Sequence, residues 1–330
     1  MMKKLFRVLF LLSFATILAA CNQSQMDGTN PDRQTSNENK PVTIKHVLGT
    51  TELHAKPKKI VVLEWTYVED LLALDIRPVG VTDIEGYNKW VQIDEELSTD
   101  VTDVGTRQEP NLEAIAQLEP DLIITTKFRH EGIKEELESI APTIFFEPYP
   151  QDESISQYDE MVTTFKTIAK AVQKEDQADV VLNELNERYK ETKEKIQGKK
   201  LKTNQFVLTQ AYSSNQVPVL RVFTPNSMAS VILEKVGLQN AYQNEKFEVY
   251  GFSTVNVEAL PALEEANFIY VVQDNDNIIE NQLNDNAVWK NIAFVKEDRT
   301  YSLGEDTWLF GGPLSAKVLV DQIENALVEE

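Results

Sequence analysis

The sequence has little cysteine and histidine and is short of positive charge. One cysteine and three histidines occur in 330 residues, so a soft-metal site built by the protein itself is not expected. Lysine and arginine total 32 against 53 acidic residues, and the formal charge is −21. Nucleic acid is therefore not an expected partner, because phosphate binding needs a basic surface. Beyond the N-terminal segment, no apolar run is long enough for a transmembrane helix.

The one cysteine, Cys21, ends a segment that is typical of a signal peptide. Residues 1–20 have a basic start and an apolar stretch that is too short to span a bilayer comfortably. The ending "LAAC" resembles a bacterial lipobox, which implies removal of residues 1–20 and diacylation of Cys21. The alternative is an ordinary secretory signal with a chance cysteine. Residues 21–41 contain almost no large apolar side chains, so we predict a flexible tether.

Residues 42–150 predict an N-terminal α/β lobe. Alternation over Val42, Ile44, His46 and Leu48, followed by Gly49-Thr50, predicts a hairpin in which His46 is a packed residue and not a ligand. The continuous apolar run "KIVVLEW" then predicts a strand that is covered on both faces. Strand and helix patterns alternate from there to "DLIITT", which favours a mainly parallel sheet.

Residues 151–197 lack this alternation and have helical periodicity. They predict one long bridging helix, or two helices with a break near Lys174–Asp176. A second α/β lobe follows over residues 198–330, beginning with the strands "NQFVLTQAY" and "VLRVFT" and the helix "SMASVILEKVG". The predicted fold class is α/β: two lobes with mainly parallel sheets, joined by the bridging helix, with a ligand cleft between them.

An internal repeat supports two related lobes. "NLEAIAQLEPDLII" starts at Asn111, and "NVEALPALEEANFIY" starts at Asn256. Both read Asn-apolar-Glu-Ala-apolar, then Leu-Glu, then an apolar strand, and each follows a glycine-containing turn. Glu113 and Glu258 are thus expected at equivalent places on the two lobes, although solvated helix-face glutamates are the ordinary alternative.

Two arginines follow successive apolar strands of the N-terminal lobe. Arg107 comes after "TDVG" and Arg129 after "DLIITTKF". Because ligands of parallel sheets bind beyond the carboxyl ends of the strands, both guanidiniums should lie at the same edge. Two convergent guanidiniums suit a ligand with several carboxylates, and surface salt bridges are the alternative.

The C-terminal lobe adds candidates of its own. Arg221 lies on the strand "VLRVFT" and can face the cleft or form an edge salt bridge. Trp65, Tyr212 and Trp308 lie near strand ends or in a turn-rich segment. Each of these aromatics either lines the cleft or covers the core. Together with the two strand-end arginines they form the predicted ligand site.

The sequence resembles the iron-siderophore substrate-binding lipoproteins of ABC importers. The resemblance rests on the lipobox and on three segments: "KIVVLEWTYVEDLLALDIRPVGV", "VGTRQEPNLEAIAQLEPDLIITTKFRH" and "EDTWLFGGPLSAKVLVDQI". The resemblance runs from about Val42 to the C-terminus and is strongest to binders of ferric citrate and citrate-based siderophores. It implies a monomer that is lipid-anchored on the extracytoplasmic face of the cell membrane, without catalysis or cofactor. The ligand is an iron(III) chelate whose chelator holds the metal, and an ABC permease with its ATPase receives it.

The resemblance also implies roles for individual residues. Arg107 and Arg129 match the carboxylate clamps of those binders, and Glu113 and Glu258 match glutamates that dock on permease arginines. Two departures stand out. Some citrate-siderophore binders have arginines just after the tryptophan of the last motif, where this sequence has Leu309-Phe310-Gly311-Gly312. Some relatives have histidine-proline-asparagine where this sequence has Thr224-Pro225-Asn226. The C-terminal lobe is therefore less basic, and an iron-ligating histidine is not expected.

Other functions stay open at this point. Within the same transport group, a hydroxamate siderophore, cobalamin or haem is the alternative ligand, and clustered arginines favour carboxylates over neutral hydroxamates. A lipid-anchored hydrolase lacks support, since no G-x-S-x-G, clustered-histidine or P-loop pattern is present. A purely structural envelope lipoprotein would not need matched arginines at strand ends.

Overall fold

The computed structural model describes residues 41–244 and 246–329. The predicted signal peptide, the predicted lipidation site Cys21 and nearly all of the predicted tether lie outside the described residues. Within the described part, no helix is both long enough and apolar enough to cross a membrane. The two predicted lobes belong to one compact unit, Pro41–Glu330.

The fold begins with the predicted antiparallel hairpin, formed by β1 (Val42–His46) and β2 (Gly49–Leu53). Its turn is at Val47–Leu48, not at Gly49-Thr50 as predicted. The reason is local, because the Leu48 N–H donates to His46 Nδ1 at 3.2 Å and closes the chain there. The His46 ring packs 5.8 Å from that of Phe145, and burial lowers its pKa, which agrees with the predicted packing role.

The N-terminal lobe contains a five-stranded sheet that is parallel throughout, in the order β5-β4-β3-β6-β7. Its apolar strands are covered on both faces, as the continuous runs predicted. The elements are β3 (Ile60–Val62), α1 (Trp65–Ala73), β4 (Gly80–Val81), α2 (Ile84–Trp90), β5 (Thr102–Asp103), α3 (Leu112–Gln117), β6 (Leu122–Thr126), α4 (Lys127–His130), α5 (Lys134–Ile140) and β7 (Thr143–Phe146).

Two helices, not one, connect the lobes: α6 (Gln157–Ala171) and α7 (Glu175–Lys199). The break lies at the position that the sequence left open, and Gln173 there has a φ of +54°. A helix cannot continue through this left-handed conformation. Ser156 caps α6 by accepting a hydrogen bond from the Asp159 N–H.

The C-terminal lobe has a six-stranded mixed sheet. The path β11-β9-β8-β12-β13 contains antiparallel pairs at β8–β9 and β9–β11, and the other pairs are parallel. A two-residue turn with positive φ at Asn215 and Gln216 makes the antiparallel β8–β9 hairpin, in a lobe whose sheet was predicted to be mainly parallel. The elements are β8 (Gln205–Ser214), β9 (Val217–Phe223), α8 (Met228–Lys235), β10 (Gln239–Asn240), β11 (Phe252–Val255), β12 (Asn267–Val271), α9 (Ile278–Asn281), α10 (Ala287–Asn291), α11 (Ala293–Lys296), β13 (Thr300–Ser302) and α12 (Pro313–Glu324).

The two repeats occupy corresponding places but differ in helix type. Asn111 caps α3 through its side chain, which accepts from the Ala114 N–H at 3.0 Å. The second repeat forms a 3-10 helix, Val257–Leu263, which contains Pro261 and has no side-chain cap. Each helix leads into a buried parallel strand, β6 or β12. The duplicated arrangement predicted from the sequence is thus present in the fold.

Candidate functional site

Arg107 and Arg129 meet at the carboxyl edge of the first sheet, as predicted, and a carboxylate joins them. Arg107 donates from Nη1 to Glu64 Oε1, and Arg129 donates from Nε to Glu64 Oε2, both at 2.8 Å. The Glu64 side chain is 8% exposed, whereas the arginine side chains are 20% and 18% exposed. We call these three residues the arginine–glutamate triad. The two guanidiniums converge, but an internal acid offsets one of their two charges.

The strand order explains how the triad forms. Glu64 follows β3, the central strand, while Arg107 follows β5 on one side and Arg129 lies in α4, directly after β6, on the other. Glu64 also caps α1, because its Oε1 accepts from the Trp65 N–H at 3.1 Å. Sequence reasoning missed Glu64. The rule that located the arginines, a polar residue just after an apolar strand, applies equally to "VVLEW" and could have found it.

Neighbouring groups hold the triad in place. The Arg107 guanidinium carbon lies 3.5 Å from the centre of the Trp65 ring, and its Nε lies 3.8 Å from Asp83 Oδ2. His130, fully buried, has its pKa lowered to about 4 by burial and by the charge of Arg129. It is therefore neutral near pH 7 and adds no positive charge to this edge.

A continuous chain of aromatic contacts runs from the triad across to the C-terminal lobe and back. Phe128, under Arg129, and Tyr250 are 43% and 52% exposed, so this aromatic chain faces solvent on one side. It returns to Arg107 through Trp308 and Trp65, whose ring centres are 5.6 Å apart. The successive ring contacts are Phe128–Tyr149, Tyr149–Tyr250, Tyr250–Phe252, Phe252–Phe310 and Phe310–Trp308, at 5.2–6.4 Å.

A cavity of about 360 Å³ lies where the lobes face each other, at the carboxyl ends of β8 and β12. Arg221 lies between the rings of Tyr212 and Phe252, 4.9 and 4.7 Å from their centres. Its Nη1 donates to the neutral Gln210 Oε1 at 3.1 Å, and its Nε is buried without a hydrogen-bond partner. The lining residues are Lys89, Trp90, Gln210, Ala211, Tyr212, Arg221, Val271, Val272, Gln273, Asn275 and Asp276.

Charge at this cavity is only partly offset. Among the residues that the structure describes, neither Lys89 nor Arg221 forms an ion pair, and Lys89 Nζ lies 5.3 Å from the Trp90 ring. Asp276 is held by Ser213, which donates from its N–H and its hydroxyl at 2.7 and 2.6 Å. The side chains therefore leave one net positive charge in an otherwise mostly apolar cavity. Lys89 and Trp90 were not predicted, since they lie on a helix and not at a strand end.

Contacts between α1 and residues 308–315 join the lobes beside the site. The Thr66 hydroxyl donates to the Phe310 carbonyl at 2.9 Å. Glu69, fully buried, accepts from the Ser315 N–H and hydroxyl at 2.8 and 3.0 Å. A Cβ at Gly311 would overlap the Glu69 carboxylate. Gly311 therefore cannot carry any side chain, arginine included, unless Glu69 and Ser315 move.

The other predicted site residues divide into two groups. Tyr212 and Arg221 line the cavity, whereas Trp65 is 2% exposed and supports Arg107 from below. Trp308 packs on Trp65 and Trp90 and has a buried indole N–H with no hydrogen-bond partner. Direct ligand contact by either tryptophan stays a prediction.

Glu113 and Glu258 are both exposed, and each is the second residue of its helix, α3 or the 3-10 helix Val257–Leu263. The two glutamates thus hold the same place within their helices. Their docking role stays a prediction.

Within the described ranges, no group of three or more histidine, cysteine or acidic side chains is arranged to hold a metal ion. What the lobes bring together instead is cations and aromatic rings at the carboxyl ends of both sheets. This is the architecture of a two-lobed solute-binding protein.

Comparison with known proteins supports the same class of protein. Residues 60–307 match the periplasmic binding protein family, and the chain belongs to it. It is 32% identical to the probable siderophore-binding lipoprotein YfiY of Bacillus subtilis over 337 residues, covering 98% of each chain. It is 31% identical to the Fe(3+)-citrate-binding protein YfmC of Bacillus subtilis, covering 90% of this chain and 88% of that one.

Among solved structures, the chain is similar to the Fe3+-Desferal-bound siderophore-binding protein FhuD from Vibrio cholerae. The TM-score is 0.71 at 28% identity, and the alignment covers 82% of this chain and 98% of that chain. The two-lobed α/β fold predicted from the sequence is confirmed.

Proposed function

We propose that this protein captures an iron(III) chelate outside the cell membrane and delivers it to an ABC permease. Similarity to siderophore-binding and Fe(3+)-citrate-binding proteins supports iron chelates as the ligand class. The chelator satisfies the metal, so the protein needs only to recognise the outer surface of the complex. No chemical step is required. A diacylated Cys21 would tether the protein to the membrane, and one chain would bind one chelate.

Within that class, we propose ferric citrate or a citrate-based siderophore. The observation that carries this choice is Arg221, whose guanidinium lies between two aromatic rings, bonds to a neutral amide and has an unpartnered Nε. A partly buried guanidinium without an acidic partner favours a carboxylate, because a charge-assisted hydrogen bond to it is stronger than one to a neutral amide. Lys89, at the same cavity, supplies a second cation.

A second candidate is a hydroxamate siderophore. The arginine–glutamate triad favours it, because Glu64 offsets one of the two arginine charges that a polycarboxylate would use. Similarity to the Fe3+-Desferal-bound protein is in line with this candidate. The apolar walls of the cavity suit a chelate of low charge as well.

Quenching of tryptophan fluorescence tests the proposal directly. Trp308 contacts both Trp65 and Trp90 beside the cleft, whereas Trp289 is packed in the core of the C-terminal lobe. The mature protein should be titrated with ferric citrate, Fe3+-Desferal, haem and cobalamin. We expect saturable quenching by ferric citrate. Saturation by haem or cobalamin, with no response to either iron chelate, would overturn the proposed ligand class.

Delivery needs a surface that the permease can recognise on both lobes. Glu113 and Glu258 are suited to this, because they are exposed and equivalent in the two repeats. Paired arginines on a permease could bind both at once and fix the orientation of the loaded protein. This role extends the proposed function and does not contribute to capture.

A further inference from the structure

We infer that Glu64 is a specificity-determining residue that sets how much negative charge the site accepts on its chelate. This rests on the proposed function, since it concerns the ligand of the same cleft. With Glu64 ionised, the arginine–glutamate triad carries two positive charges and one negative charge, a net charge of +1. Without the carboxylate the same two guanidiniums would carry +2.

Hydrogen bonds hold the Glu64 carboxylate between the two guanidiniums, so its negative charge stays beside them. Each oxygen of Glu64 is committed to a different arginine at 2.8 Å, and Oε1 also accepts from the Trp65 N–H. With only 8% of its side chain exposed, Glu64 is screened by little water or salt. A ligand carboxylate that approached either guanidinium would therefore come within several ångströms of a fixed negative charge.

The arginines still retain capacity for a ligand. Each arginine donates only one N–H to Glu64, Arg107 from Nη1 and Arg129 from Nε. Asp83 also pairs with Arg107, but at 3.8 Å and with 37% of its side chain exposed, so water screens it more than Glu64. Both guanidiniums keep about a fifth of their side-chain surface exposed. Glu64 thus reduces the charge of the pair without blocking it. The expected consequence is a preference for chelates of modest negative charge over heavily charged ones.

Four proteins test the inference: the wild type, Glu64→Gln, Arg129→Gln and the double variant. Their triads carry +1, +2, 0 and +1. Glutamine is close in shape to glutamate and keeps an oxygen for the Trp65 N–H, so the cap of α1 can persist. Glu119→Gln, whose side chain is 83% exposed and which precedes β6 at the opposite edge of the sheet, is the control for total charge.

Dissociation constants should be measured for ferric citrate, which is anionic, and Fe3+-Desferal, which carries a pendant ammonium group. A unit charge several ångströms away, at an effective dielectric constant of about 20, changes affinity by about tenfold or more. We expect Glu64→Gln to bind ferric citrate about tenfold more tightly and Fe3+-Desferal more weakly. Arg129→Gln should shift the ratio of the two affinities the other way. The double variant should return that ratio to within about threefold of the wild type, and Glu119→Gln should leave it unchanged.

The outcomes separate cleanly. If Glu64 only holds the arginines in position, Glu64→Gln will weaken both ligands, and the inference is wrong while the proposed function stands. If the wild type binds neither chelate, the proposed function fails and the inference with it. If Glu64→Gln does not fold, as judged by its circular dichroism, Arg129→Gln decides. An unchanged ratio in that variant would refute the charge role.

Discussion

Replacing Glu69 by glutamine should change how the stability of the protein depends on pH. Glu69 is fully buried where α1 meets the start of α12, and burial raises its pKa from 4.5 to about 7. Between these values the folded protein holds a proton at Glu69 that the unfolded chain has released. Stability contributed by this group is therefore present below pH 4.5 and is lost as the pH rises to 7.

The magnitude follows from the pKa difference. Each pKa unit is worth about 1.4 kcal/mol, so ionising Glu69 in the folded protein should cost about 3 kcal/mol between pH 4.5 and 7. His130 acts in the opposite direction, because its folded pKa of about 4 lies below 6.5. The informative quantity is thus the difference between wild type and Glu69→Gln at each pH, in which the contribution of His130 cancels.

Urea unfolding at pH 5 and pH 8 provides the measurement. Relative to the wild type, Glu69→Gln should gain about 2.5 kcal/mol in free energy of unfolding between these two pH values, because the window begins above the unfolded pKa. Glu119→Gln, which alters an exposed carboxylate, should follow the wild type. Parallel pH profiles for wild type and Glu69→Gln would refute the reasoning, because they would mean that Glu69 titrates alike in the folded and unfolded states.

Three further predictions concern the cavity, the docking surface and the lobe contact. Arg221→Ala should weaken ferric citrate binding by about 2 kcal/mol, roughly thirtyfold, with an unchanged melting temperature; equal affinity in a fluorescence titration would place Arg221 outside the site. The double variant Glu113→Ala/Glu258→Ala should bind its chelate normally and fail to support uptake of radiolabelled iron in cells that carry no other copy, whereas full uptake would contradict docking. Gly311→Ala should lower the free energy of unfolding by about 1–3 kcal/mol, because the new Cβ forces the Glu69 carboxylate away. Gly132→Ala, with open space around its Cβ, is the control and should leave stability unchanged. Equal unfolding midpoints for the two variants would show that the contact between the lobes rearranges without cost.

Local pattern accounts for what the sequence alone determined. The apolar runs at Ile60–Val62 and Leu122–Thr126 mark buried parallel strands, because a strand that is covered on both faces needs apolar side chains throughout. The break between α6 and α7 and the corresponding positions of Glu113 and Glu258 were also predictable. So was the convergence of Arg107 and Arg129, since the carboxyl ends of parallel strands share one edge.

Tertiary structure decided what those residues contact. Glu64 lies between the two arginines only because β3 is the central strand of the order β5-β4-β3-β6-β7, and strand order depends on contacts between distant parts of the chain. The aromatic chain draws its rings from five separate segments of the sequence. Glu69 and Ser315 form a hydrogen bond although 246 residues of sequence separate them. No local sequence pattern could therefore predict that a side chain at Gly311 would overlap the Glu69 carboxylate. The sequence therefore located the charges of the site, and only the packing of the two lobes fixed which of those charges an internal partner offsets.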